Sequence, residues 1–107
     1  MRTVEFNGGL YVNPSYDALV AMGISGAEAA GVMRAFAEAE VLERRDDLLK
    51  IAALRIAPLQ DAVDLGKASA EESARLLLWK EYRVDLGRIA EQSGFPEAVV
   101  WPESPAA

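Results

Sequence analysis

"LLKIAALRIAPLQDAVDLGKASAEESARLLLWKEYRVDLGRI", Leu48 to Ile89, is the stretch whose reading decides the fold. In its first half the apolar positions Leu49, Ala52, Ile56, Leu59 and Val63 advance by alternating steps of three and four, which lays them on one stripe of an α-helix. The stripe runs through Pro58. An interior proline removes one backbone hydrogen bond and kinks a helix, so the unbroken stripe predicts one Pro-kinked helix, with two short helices as the competing reading. Gly66 supplies the stop. Ser69 followed by Glu72 is a capping-box pattern that opens a second helix, expected to run to about Gln92 with Ser93-Gly94 as its C-terminal punctuation. Only two residues separate Gly66 from Ser69, and so short a connection predicts antiparallel neighbours, an αα-hairpin.

Upstream, Ser25 and Glu28 repeat the capping-box spacing ahead of an Ala-rich run of strong helix formers, so the first helix of the pair is expected to be long. Asn13-Pro14 reads as an N-cap with proline at the first helical position of a short helix, "SYDALVAM", that Gly23 closes. Before it, "TVEFNGGLYVN" alternates around Asn7-Gly8-Gly9 and reads as a short β-hairpin needing the helices, or a partner's sheet edge, for cover. Downstream, "FPEAVVWPESPAA" carries three prolines and reads as an extended tail. The expected fold class is mainly α (α+β): an N-terminal hairpin and short helix at 1–24, a helical hairpin at 25–93 and a Pro-rich tail at 94–107, all in one domain.

Composition narrows the function. The 107 residues contain no cysteine and no histidine, which removes thiolate chemistry, the commonest general base and the commonest transition-metal ligand. No catalytic, cofactor-binding or metal-binding residue is assigned, and an enzyme is not expected. Eleven basic residues against 17 acidic ones give a formal charge of -6, unfavourable for binding a phosphate backbone. The start has no apolar h-region, and no run reaches the length needed to span a bilayer, so a soluble cytoplasmic protein without nucleic-acid or membrane partners is expected. Glu38, Glu40, Glu43, Asp46 and Asp47 cluster, but Arg44 and Arg45 among them make a solvated helix face the simpler reading.

On the last helix, Leu78, Tyr82, Leu86 and Ile89 step by four, four and three and are expected to face the long helix. Lys80, Glu81, Arg83 and Asp85 sit mostly off that stripe. Trp79 and Arg83 are four apart, with the spacing for a cation over a ring if exposed, and Trp, Tyr and Arg are the side chains that concentrate binding energy at interfaces. Trp101 has two readings: an aromatic anchor for a partner, or a ring folded back to close the open end of the helical hairpin. The partner-binding candidates are Trp79, Tyr82, Arg83, Trp101, Pro102 and Tyr11.

The ordered set Ala57 to Leu65, then Trp79, Lys80, Tyr82, Arg83, Val84, Leu86 and Arg88, then Trp101-Pro102, resembles the C-terminal region of the tail fibre assembly proteins of tailed phages and phage-tail-like bacteriocins. The resemblance covers Leu48 to Pro105. It departs at Gly87-Arg88-Ile89-Ala90, where many members carry Asn before the Arg and Val-Asp after it, and the first forty residues carry none of it. It implies a chaperone that binds the C-terminal region of a trimeric receptor-binding fibre and promotes its folding and trimerisation. It further implies action in the host cytoplasm during assembly, with retention on the finished fibre left open. The alternative reading is a small helical scaffold of the tail that oligomerises without chaperone activity, and a homodimer is compatible with both.

Overall fold

The computed structural model describes residues 2–6, 9–12 and 15–106, and for residues 3–6 and 9–12 the backbone alone. The chain forms two compact units, Met1–Glu40 and Val41–Ala107. The boundary falls inside a continuous helix rather than at the loops from which the sequence boundaries were taken.

In the first unit, β1 (Thr3–Phe6) and β2 (Gly9–Val12) pair antiparallel, from Thr3 opposite Val12 to Phe6 opposite Gly9. α1 spans Tyr16–Ala21. Its cap is Ser15, whose side chain accepts the Ala18 N–H, and the expected Asn13-Pro14 cap lies outside the described residues, as does the expected turn at Asn7-Gly8. At the other end the Gly23 N–H donates to Val20 O and the Ile24 N–H to Leu19 O. This is a Schellman closure, with Gly23 at φ 95 in the left-handed region. The same closure brings Ile24 back onto Leu19, and these two with Ala29 form the buried cluster of this unit.

α2 spans Gly26–Asp64 and continues through Pro58. At its start the Ser25 hydroxyl accepts the Glu28 N–H. At its end, Gly66 at φ 69 closes a second Schellman motif, in which the Lys67 N–H donates to Ala62 O and the Gly66 N–H to Val63 O. α3 spans Ala70–Gly87 and opens with a complete capping box: the Ser69 hydroxyl accepts the Glu72 N–H while the Glu72 carboxylate accepts the Ser69 N–H. The five residues between α2 and α3 turn the chain back so that the two helices share one core.

That core is Ala52 and Ile56 of α2 against Leu76, Trp79, Tyr82 and Leu86 of α3, with Leu48, Leu49, Leu59 and Trp101 packed at its margin. Two expectations are corrected here. Leu78 is 52% exposed, and the buried row is Leu76, Trp79, Tyr82 and Leu86. The run Leu76-Leu77-Leu78-Trp79 offers several registers, and the one that buries the indole removes the most apolar area from water. Val63, expected on the α2 stripe, is 39% exposed. The first turn of α3, Ala70 to Ala74, has no large apolar side chain to cover it.

The mainly α part of the expected class agrees with the structure, and its α+β qualifier is corrected. Helices of 6, 39 and 18 residues, with Ile24 from the connection between the first two, build both hydrophobic clusters among the described side chains, and two strands of four residues make a ribbon rather than a sheet layer. The C-terminal boundary also moves. α3 stops at Gly87, a 3-10 turn follows at Ile89–Glu91, and residues 93–98 are turns, so the stretch without regular structure is 99–106 instead of everything after Gly94.

Candidate functional site

All the sequence-level candidates except Tyr11 lie in the second unit, where the segment after α3 is bound back against the helices. Ile89 is fully buried and Pro96 is buried, which roots the chain after α3 in the core. Around Gly94 the fold is tight: the Ala98 N–H donates to Gly94 O at 2.7 Å, and a Cβ on Gly94 would run into the Ala98 carbonyl oxygen. Farther on, the Gln92 side chain behaves as a short length of strand. Its Nε2 donates to Val100 O at 2.7 Å and its Oε1 accepts the Val100 N–H at 2.8 Å. This reciprocal pair satisfies both backbone groups of Val100 and fixes the next residue, Trp101.

Trp101 is half-buried at the edge of the core, with the Arg44 guanidinium 4.4 Å from its ring centroid. A guanidinium at that distance is attracted by the negative face of the indole and shields it from water. Of the two sequence readings for Trp101, this arrangement supports closure of the helical hairpin. Trp79, which sequence reasoning allowed as an exposed stacking partner of Arg83, is 3% exposed and instead meets Tyr82 edge-on, with centroids 5.7 Å apart and an interplanar angle of 81°. Arg83 is exposed and apart from that ring pair. The side chain of Tyr11 lies outside the described residues.

Between α3 and the pinned tail runs a shallow groove of about 380 Å³, walled by Leu78, Glu81, Tyr82 and Asp85 on the helix and by Pro102 to Pro105 on the tail. Its neighbour, about 260 Å³, shares Asp85 and Pro102 and extends along Arg88, Gln92 and Val100. Tyr82 and Pro102 are therefore brought to one surface, whereas Trp79 and Trp101 support it from beneath. Along the exposed side of α3, Lys80, Glu81, Arg83, Asp85 and Arg88 form no ion pair among the described residues, in contrast to α2, where Arg34 pairs with Glu38, Arg45 with Asp46 and Lys50 with Asp47. The α3 charges are thus available to a partner together with the exposed Leu78 and Val100.

Sequence reasoning missed Arg44, Gln92 and the groove residues Leu78, Glu81 and Asp85. The contacts of Arg44 and Gln92 are with residues far along the chain or across a turn, and periodicity cannot pair them. Among the described residues, the one resolved titration shift belongs to the helix start. Glu72 is held below the ordinary carboxylate range first by the Ser69 backbone N–H, then by the Ser69 hydroxyl and the nearby Arg75. It is a structural shift. Among the described residues no group of three or more Asp or Glu side chains converges as a cation site would require, and no helix is long and apolar enough to cross a membrane.

Comparison with known proteins places this surface in a family. The family model for the Caudovirales tail fibre assembly protein, lambda gpK, matches residues 24–106, which extends the relationship upstream of the Leu48 to Pro105 motif into the first unit. Protein TfaD of Escherichia coli K12 is 46% identical over 66 residues, 62% of this chain and 34% of the relative. The tail fiber assembly protein of Escherichia phage lambda is 44% identical over the same length, 33% of its own chain. A probable tail fiber assembly protein of Acyrthosiphon pisum secondary endosymbiont phage 1 is 41% identical over 66 residues, 41% of its length. The chain thus spans about a third of the length of the first two relatives. No solved structure matches. With a match over most of its residues, the chain belongs to the tail fibre assembly protein family of tailed phages.

Proposed function

We propose that this chain is a tail fibre assembly chaperone that binds the C-terminal region of a trimeric phage or bacteriocin fibre and promotes its folding and trimerisation in the host during particle assembly. The observation that carries the reading is the α3–tail groove, which lies within the family-matched region and combines apolar and unpaired charged side chains on a rigidly supported surface. Fibres built from intertwined chains form non-local pairings slowly and expose strand edges and apolar surface until they close, so a protein that covers such surface reduces aggregation without any covalent chemistry. Leu78 and Pro102 supply the apolar part of the docking surface, with the buried Tyr82 at its floor. Glu81, Asp85 and Arg88 supply charge and orientation, and Arg83 adds a cation nearby. Trp79 and Trp101 act as the support that holds helix and tail in register.

Co-expression with the cognate fibre, comparing the yield of SDS-resistant fibre trimer with and without this chain, tests the proposal. A rise in trimer that is lost on Leu78→Glu or Asp85→Arg, with the folded fraction of the variant unchanged, is expected. Equal trimer yield with and without the chain, both proteins being soluble and well expressed, refutes it and favours the scaffold reading.

A further inference from the structure

The outward face of α3 is patterned in a way that its own core does not use, and it meets the groove only at the shared residues Glu81 and Asp85. At 100° per residue, Ala70, Leu77 and Val84 fall on one line at intervals of seven, opposite the buried row of Leu76, Trp79, Tyr82 and Leu86. Leu77 is 63% exposed and Val84 is 48% exposed, and together with Lys80, Glu81 and Asp85 they line a shallow depression of about 500 Å³. Midway between Leu77 and Val84 sit Lys80 and Glu81, one on each flank of the line, and neither makes an ion pair among the described residues. We infer that this face is a two-fold interface with a second copy of the chain, the two α3 helices running parallel, Leu77 on Leu77, Val84 on Val84, and each Lys80 against the other copy's Glu81.

The charges decide the direction. A two-fold axis parallel to the helices brings the Lys80 flank of one copy against the Glu81 flank of the other, so both ion pairs form at the same level. A two-fold axis perpendicular to the helices, which makes them antiparallel, sets Lys80 against Lys80 and Glu81 against Glu81. Opposite charges flanking an apolar line are the arrangement that fixes partner and orientation in paired helices. The level below presents the small residues Ser73 and Ala74, and the level above presents Gly87 on the Lys80 flank and the exposed Arg88 on the Glu81 flank, so close approach is favoured at the lower level and on one flank of the upper. Gly87 has an α-helical backbone and no atom within 4 Å of where a Cβ would stand, so packing inside its own chain does not require its smallness. The contact extends along one helix of 18 residues, roughly 27 Å. That is smaller than a standard interface, so the dimer is expected to be weak, with Kd on the order of 100 μM.

The inference does not rest on the proposed function, although Glu81 lines both surfaces, and it is tested on the isolated protein without any fibre. Sedimentation equilibrium from about 10 μM to about 1 mM should show reversible monomer and dimer. Lys80→Glu and Glu81→Lys should each weaken association about tenfold or more, since each replaces two attractive pairs by two repulsive ones. Mixing the two variants should restore it, because one then carries two acids where the other carries two bases. Because the chain has no cysteine, Leu77→Cys and Val84→Cys report register directly: each should form a homodimeric disulfide, and a mixture should show no preference for the 77–84 cross-link. A wild-type monomer throughout, no restoration on mixing, or a dominant 77–84 cross-link overturns the inference. Thermal melting of each variant at low concentration checks that the monomer fold is intact, and the mixing experiment remains decisive if one variant melts lower.

Discussion

Replacing Trp101 by alanine separates the support role of this ring from a partner-anchor role. The ring is half-buried against the α2–α3 core and lies under Arg44. A tryptophan fully buried removes roughly 150–250 Å² from water, and two-thirds of that at about 25 cal/mol per Å² amounts to roughly 3 kcal/mol. The guanidinium contact adds about 0.5–1 kcal/mol at so exposed a site. Trp101→Ala should therefore destabilise the second unit by about 3–4 kcal/mol, with Trp101→Phe intermediate. For a unit of this size the change corresponds to a fall in melting temperature of about 10 °C or more. Urea unfolding followed by circular dichroism and by the fluorescence of the remaining Trp79 measures it. Arg44→Ala alone should cost no more than about 1 kcal/mol, and the double variant should show coupling of that size. If Trp101→Ala unfolds at the wild-type urea midpoint with an unchanged slope, the ring contributes nothing to the core. If deleting Val99 to Ala107 then lowered the yield of fibre trimer, that loss would be ascribed to direct contact with the fibre.

Four other perturbations probe the devices that hold the site. Gln92→Ala removes both hydrogen bonds to Val100 and should cost about 1–2 kcal/mol while accelerating hydrogen exchange at the Val100 amide, and unchanged exchange there would contradict the clamp. Gly94→Ala should destabilise by about 1–3 kcal/mol because the new Cβ meets the Ala98 carbonyl rather than a flexible side-chain end, and a neutral melting curve would show that the turn relaxes freely. Ser69→Ala should cost about 1 kcal/mol as a lost N-cap. The Glu72 pKa is lowered in the folded state. Its contribution is therefore fully present above the ordinary glutamate value and is lost as pH falls through the lower folded value. Acid unfolding of Glu72→Gln should lack this component, and identical acid titrations of variant and wild type would refute the assignment.

The long helix, the reversal after Gly66 and the capping box at Ser69 were legible because each depends on residues within a few positions of one another. Left-handed glycines, N-cap hydroxyls and a three-four apolar spacing act locally, and the tertiary structure left them where the chain wrote them. The family motif was legible for a related reason, since Trp79 to Arg88 and Trp101-Pro102 keep their order and spacing. What the sequence reading got wrong was which of four adjacent apolar residues, Leu76 to Trp79, would enter the core: spacing chose Leu78, and the structure buries Leu76 and Trp79. Only the opposing α2 surface of Ala52 and Ile56 decides that register, and it buried Trp79 and left Leu77 and Leu78 to solvent. The fate of the tail was likewise decided by contacts distant in sequence. Arg44 meets Trp101 across more than fifty residues, and Gln92 meets Val100 across a turn. Local composition fixes where a chain coils, caps and turns; the placement of an aromatic ring inside a core or on a surface is a competition for buried area, and it is settled only when the other side of the core is present.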